Sequence, residues 1–325
     1  MTEPPVAVVV PSWNTLRFLP RCLDSVRGQG VEAGLLVVDN GSTDGSLDYL
    51  REEGVNHAAL AQNRGFAAAV NLGAARTSAP ALLVLNADTV LESGCLNRLL
   101  EALESDSSLG GVQPRILQME EAPGERVAEE GALRDVESAR FYSAGQALAG
   151  DGRAFELGMG EGQSAPLRRG REVFGVCGAA CLLRRELFAE LGGYDESYFS
   201  FYEDVDLNVR ARIAGWSFRY VPEAVVWHVG NAAWSEGFQR PAADNARLVA
   251  RNRLSTQLKF MPASAAPRIA AVEVGSLARA ARQRRFRATL GGKLEALRRL
   301  PALLRERRRL RESGDPARAR RWLGR

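Results

Sequence analysis

The sequence predicts an α/β protein whose mostly parallel central sheet carries helices on both faces. Short apolar runs at Val6–Val10, Leu35–Val38 and Leu82–Leu85 alternate with segments of helical spacing. The runs are apolar throughout instead of alternating with polar residues, as strands covered on both sides are. Each is closed by a polar or turn residue: Pro11, Asp39 and Asn86.

Taken in order, Val6–Val10 is the first strand. Leu16–Arg27 follows as a helix, with Leu16, Leu19, Leu23 and Val26 on one face. Leu35–Val38 is the second strand. It leads into Asp39-Asn-Gly-Ser-Thr-Asp44, a turn rich in capping residues, and then a helix over Ser46–Glu52. His57–Leu60 is a short third strand, and Asn63–Asn71 opens another helix. Leu82–Leu85, bounded by Pro80 and Asn86, is the fourth strand, with the helix Gly94–Glu104 behind it. From Gln118 to Glu172 the pattern weakens, as in a functional loop or mobile insert, although Phe141–Leu148 and Ala154–Leu157 form a candidate strand pair. Order returns at Val173–Arg185. Glu186–Leu191 is a helix closed by Gly192 and Gly193, and Glu203–Ala214 a helix ended by Gly215. Arg219–Val221 and Val225–Trp227 are the last strands.

Of the 325 residues, 46% are hydrophobic and 25% charged, which is ordinary globular composition. The net charge of +4 conceals a division: residues 268–325 hold 18 Lys and Arg against 5 acids, while residues 1–267 hold 25 against 34. We therefore expect one domain over 1–262 and a basic helical extension over 263–325. In that extension Leu290, Leu294, Leu297 and Leu304 fall near one helical face, interrupted by Pro301 and set among arginines. Such a stretch can lie on an anionic membrane surface through 279–325, or it is a solvated charged helix or tail. No uncharged apolar run is long enough to span a bilayer, and the N-terminus lacks a basic signal-peptide region. Four scattered cysteines complete no zinc pattern and read as buried thiols in a reducing, cytoplasmic setting.

Several residues are placed to carry chemistry. Asp88 lies just past the end of a predicted central strand, where ligands bind in open α/β sheets, and Asn86 precedes it by two. That placement suits a hard divalent cation holding phosphates, or simply a cap on the next helix. Asp39 also ends a strand. The turn after the first strand has no glycine, so a dinucleotide fold is disfavoured. Asp39 can still bond a base or ribose, with Trp13 as a nearby aromatic face. Tyr202-Glu-Asp-Val-Asp206 packs three acids into four positions beside an aromatic flank, more than helix capping requires. An apolar wall there would raise a carboxyl pKa and make a usable base. His228 follows a predicted strand and becomes a metal ligand if Asp88 lies near it; His57 has no such context.

The chain resembles a family 2 glycosyltransferase of the GT-A fold, from the branch of bacterial rhamnosyltransferase-like enzymes. The resemblance covers about residues 5–262. It rests on an ordered set of segments at 8–14, 37–44, 63–71, 85–89, 177–186, 192–196, 202–207, 228–230 and 251–253. It implies a nucleotide-diphospho-sugar transferase fold and inverting transfer from a nucleoside-diphosphate sugar to an acceptor hydroxyl, with Mg²⁺ or Mn²⁺ as cofactor. It implies donor contacts from Pro11, Trp13, Asn14, Asp39, Asn40, Asn63, Gly65, Asn71, Asn86 and Asp88. It also implies metal ligation by Asp88 and His228, Asp204 as base with Glu203 beside it, and acceptor or phosphate contacts from Trp227 and Arg251. Trp13 stands where the family commonly has Tyr, and Asn86 where many GT-A enzymes have Asp. Rhamnose is the donor sugar by resemblance. A saccharide or lipid-linked acceptor and work in cell-envelope assembly, on the inner face of the membrane, follow in the same way; no nucleic acid is expected. Three rivals remain on residues alone. A nucleotidyltransferase would carry a glycine-rich, basic triphosphate loop near strand one. A glycoside hydrolase would need two carboxylates flanking the bond, whereas Glu203 and Asp204 are adjacent. A nucleic-acid binder explains the basic tail but not the acidic sites.

Overall fold

The computed structural model describes residues 3–119, 136–229 and 242–324. In chain order the elements are β1 (Val6–Ser12), α1 (Leu19–Arg27), β2 (Ala33–Asp39), α2 (Ser46–Glu52), β3 (His57–Ala59), α3 (Phe66–Ala75), β4 (Ala81–Leu85), β5 (Thr89–Leu91), α4 (Cys95–Glu104) and β6 (Leu109–Gln118). Then follow β7 (Phe141–Ser143), β8 (Gln146–Leu148), β9 (Ala154–Glu156), β10 (Arg171–Glu172), β11 (Ala180–Arg184), α5 (Arg185–Glu190), α6 (Glu203–Ala214) and β12 (Ser217–His228). The chain closes with α7 (Ala242–Phe260), α8 (Ala266–Arg282), α9 (Phe286–Arg298), α10 (Leu300–Ser313) and α11 (Pro316–Arg320).

The main sheet runs β10-β12-β6-β11-β4-β1-β2-β3. β3, β2, β1 and β4 are mutually parallel, as are β6 and β12, and antiparallel β11 joins the two sets. The architecture is therefore the mixed, mostly parallel sheet of a GT-A fold. β1 shows why its run reads as continuously apolar. Ala7 and Val9 enter one core layer with α3, and Val6, Val8 and Val10 enter the other with α1 and α4. Burying a Val or Leu side chain contributes roughly 1.5–3 kcal/mol, so both faces of this strand hold the sheet between its helices.

Four sequence expectations change. The first helix begins at Leu19, three residues later than its apolar spacing suggests. Pro20 occupies its first turn, where a missing N–H costs nothing, and the Thr15 carbonyl closes the preceding turn. Arg219–Val221 and Val225–Trp227 belong to one strand, β12, whose pairing with β6 is irregular between Val221 and Val225. Phe141–Leu148 is broken at Gly145, whose φ is +104°: β7 pairs with β6, and β8 with β9. β6 itself escapes a pattern reading, because Gly110, Gly111 and Pro114 weaken its β signal. The glycines are there for space. A Cβ on Gly110 would lie 2.0 Å from Leu187 Cδ1, and one on Gly111 2.8 Å from Leu183 Cδ2.

The basic C-terminal segment is helical and packs back on the domain. Lys259 of α7 holds Asp206 of α6 at 2.7 Å and Glu306 of α10 at 2.9 Å. Arg212 of α6 lies 4.3 Å from the centre of the Trp322 ring. The Gly324 N–H donates to the Leu148 carbonyl at 2.9 Å, and Leu323 pairs with Leu148 in a single parallel bridge.

Candidate active site

Two adjoining cavities open at the C-terminal ends of β1, β2 and β4, with volumes of about 200 and 340 Å³. Phe66, Asn86, Asp88, Ser200 and Phe201 form walls of both. Pro11, Trp13, Asn40, Asn63 and Gly65 also line the first chamber.

Several residues build that chamber from behind. Asn14, with φ +54°, donates its N–H to Ser42 Oγ and accepts the Thr43 N–H at 2.7 Å, tying the loops after β1 and β2 together. Asp39 is buried. Its Oδ2 accepts from the N–H groups of Gly41 and Ser42, while Oδ1 has no hydrogen-bond partner. Asn40 donates to Asn63 Oδ1 and to the Gly65 carbonyl. Gly65 has φ +91°, and a Cβ there would sit 2.3 Å from the Phe199 carbonyl oxygen. Only glycine allows that approach.

The wall shared by the chambers is a strained turn. Phe199, Phe201 and Tyr202 all have positive φ, which costs of order 1–3 kcal/mol per residue. Asn252 of α7 restrains it by donating to the carbonyls of Tyr198, Ser200 and Phe201 at 2.7–2.9 Å. The turn delivers Glu203 and Asp204 as the first residues of α6.

In the second chamber Asp88 Oδ1 lies 3.2 Å from His228 Nε2, and Asn86 Nδ2 lies 3.4 Å from the same nitrogen. Two ligands about 2.1 Å from an octahedral ion, at right angles, stand about 3 Å apart, so the pair fits one Mg²⁺ or Mn²⁺. Asp204 Oδ2 accepts from the Gly178 N–H and from Gln146 Nε2, both at 2.9 Å. Burial raises the Asp204 pKa against these hydrogen bonds. Glu203 is raised well above the carboxylate range, first by burial and then by Asp204, and its Oε2 has no partner. Orphaned buried atoms are rare in proteins. Three of those among the described residues, on Asp39, Glu203 and His228, belong to this region.

Glu156 and Gln146 are the functional candidates that sequence reading missed. Glu156 faces the second chamber, where burial and then Asp204 push its carboxyl up to about 7. Its oxygens accept from Ser143 Oγ and Gln146 Nε2. Glu156, Cys177 and Asp204 also place potential ligand atoms within 4.8 Å of one another. Burial holds the Cys177 thiol protonated, which makes this the poorer cation site.

Three residues expected as ligand contacts are engaged by the scaffold. Asn71 turns away from both chambers and holds the Tyr194 backbone and Glu196, along a separate groove. Trp227 is 1% exposed, and its indole N–H is spent on Glu92 at 2.6 Å. Arg251 donates to the carbonyls of Ser197 and Tyr198, so its guanidinium supports the strained turn. Gly230 lies outside the described residues.

Residues 7–192 match the family model described as Glycosyl transferase family 2. An N-acetylglucosaminyl-diphospho-decaprenol L-rhamnosyltransferase of Mycobacterium tuberculosis is 30% identical over 218 residues, covering 60% of this chain. The chain spans 66% of that relative's length. The rhamnosyltransferase WbbL of Escherichia coli is 31% identical over 87 residues, covering 26% of this chain and 33% of the relative. Among solved structures, GalNAc-T7 with UDP, GalNAc and Mn²⁺ aligns with a TM-score of 0.61 at 17% identity, over 80% of this chain and 48% of that one. The mannosyltransferase PcManGT of Pyrobaculum calidifontis, in complex with GDP-Man and Mn²⁺, aligns at 0.50 and 17% identity, over 98% and 86%.

Proposed function

Because the chain belongs to glycosyl transferase family 2, in its rhamnosyltransferase-like branch, we propose that it moves a sugar with inversion from a nucleoside diphosphate to an acceptor hydroxyl. The observation that carries this reading is the second chamber, where the Asp88–His228 pair and Asp204 face one space of about 340 Å³. Asp88 and His228 would hold a divalent cation, which supplies Lewis-acid stabilisation of the diphosphate leaving group. Trp13, Asn40 and the loop around Gly65 bind the nucleoside in the first chamber, and the unpartnered Asp39 Oδ1 takes a base or ribose donor. Asp204 removes the acceptor proton as the new C–O bond forms at the anomeric carbon and the C–O bond to phosphate breaks. General-base help of this kind is worth roughly 10²–10⁴-fold.

The M. tuberculosis relative's name supports rhamnose as the sugar and a polyprenyl-diphosphate-linked saccharide as the acceptor. Among the described residues no helix is long and apolar enough to cross a membrane. A lipid-linked acceptor like the one in that relative's name would be met at a membrane surface, and we place the reaction at the cytoplasmic face through peripheral contact. A thermal-shift screen of UDP, GDP and dTDP with and without Mn²⁺ tests the donor site. The expected result is a Mn²⁺-dependent rise with one nucleotide, lost in Asp88→Ala. No shift with any nucleotide would overturn the reading.

A further inference from the structure

Phe286, Leu290, Leu294 and Leu297 recur on α9 at spacings of four, four and three. At 100° per residue they occupy about 80° of the helix surface. Thr289, Gly292, Lys293 and Ala296 form the adjoining buried face, and α9 packs there against α7. Leu290 is half-buried, and the rest of the stripe faces outward: Phe286, Leu294 and Leu297 are 42%, 46% and 49% exposed, and Leu304 of α10 is 49% exposed. Arg287 and Arg298, both exposed, border the stripe on the side away from the buried face. A solvated surface helix would carry charge where this one carries leucine. A buried helix would not carry arginine along the edge of its apolar stripe.

We propose that this stripe rests on a bilayer containing anionic phospholipid, with the leucines among the acyl chains and the arginines at the headgroups. The proposal deepens the preceding reading, because it supplies the surface on which a lipid-linked acceptor is met. Charge complementarity selects this occupant: residues 268–325 carry 18 basic residues against 5 acids. An apolar stripe edged by arginine is how an interfacial helix divides itself between acyl chains and headgroups. The seat is also close to the chemistry. α9 packs on α7, and α7 contributes Asn245 to the first chamber and Val249 to the second. A membrane under α9 therefore lies one helix away from the cavity.

Deleting 279–325 would uncover α7, so the test uses point variants of the full chain. Cosedimentation is measured with vesicles of phosphatidylcholine containing 30% phosphatidylglycerol, against phosphatidylcholine alone, at modest salt. Wild-type protein is expected to bind the anionic vesicles. Leu294→Ser with Leu297→Ser should weaken binding about tenfold or more. Arg287→Ser with Arg298→Ser should weaken it by roughly fivefold per arginine, an effect that fades as salt rises. No vesicle binding by the wild type, or binding unchanged by both pairs, overturns the proposal. So does binding to duplex RNA without binding to vesicles. A Mn²⁺-dependent nucleotide shift retained in the same variants shows the donor site intact, so failure here stands apart from failure of the glycosyltransfer reading.

Discussion

Glu156 and Asp204 share one amide donor: Gln146 Nε2 lies 2.9 Å from a carboxylate oxygen of each. The amide cannot turn over without loss, because Gln146 Oε1 accepts from Asn208 Nδ2 at 2.8 Å. Asp204, the proposed base, is thus wired to a second acid drawn from the weakly patterned part of the chain.

The pH dependence of Glu156 follows. Its folded pKa, about 7, lies above the ordinary carboxyl value of 4.5. The protonated form is therefore favoured by folding, and that contribution is fully present below about 4.5 and lost as pH rises through 7. Glu156→Gln should gain stability relative to wild type between pH 5 and 8, on the order of 2 kcal/mol. Its transfer rate should also lack the rise through pH 7 that comes when an ionised Glu156 strengthens Asp204. Parallel melting curves and parallel pH–rate profiles for the two proteins would refute this coupling.

Asp204→Asn keeps the shape of the site but cannot take a proton. Transfer should fall by roughly 10²–10⁴-fold, while the Mn²⁺-dependent nucleotide shift persists. Normal turnover in this variant would remove Asp204 from the mechanism.

Asn252→Ala takes three hydrogen bonds from a turn with three positive-φ residues. We expect a loss of about 2–4 kcal/mol in urea unfolding, together with a weaker nucleotide shift, because this turn walls both chambers. A stability loss that leaves nucleotide binding at full strength would separate the turn from the donor site.

Gly65→Ala drives a methyl against the Phe199 carbonyl at a backbone angle unsuited to alanine. Nucleotide binding should disappear, with destabilisation of about 2 kcal/mol or more. Asn71→Ala, on the far side of α3, should lower stability without changing nucleotide affinity. Calorimetric titration of the two variants side by side makes the comparison.

Legibility followed pattern strength. Ser46–Glu52 and Glu203–Ala214 match their predicted bounds: Asp44 accepts the Ser46 N–H at the start of the first, and Gly215, with φ +112°, ends the second. Asp88, His228 and Asp204 stood out as charged or imidazole groups at strand and helix ends. β6 did not, because its glycines answer to Leu187 and Leu183 rather than to strand propensity. Gln146 and Glu156 gave no local sign either: a three-residue strand carries almost no periodicity, and their meaning depends on contact with Asp204, 48 residues or more along the chain. Asn71, Trp227 and Arg251 show the reverse: each drew notice as a contact, and each is hydrogen-bonded to the scaffold. Polar and aromatic residues inside a ligand-binding motif can serve its scaffold, and only their hydrogen-bond partners tell the two apart.

The hairpin of β8 and β9 receives a neighbour from the end of the basic extension, where the Gly324 N–H meets the Leu148 carbonyl. Contacts so distant in sequence form slowly, because a long loop must close first. The strand that carries Gln146 thus has part of its support in the basic extension, so the amide shared by Glu156 and Asp204 depends on a contact made far along the chain.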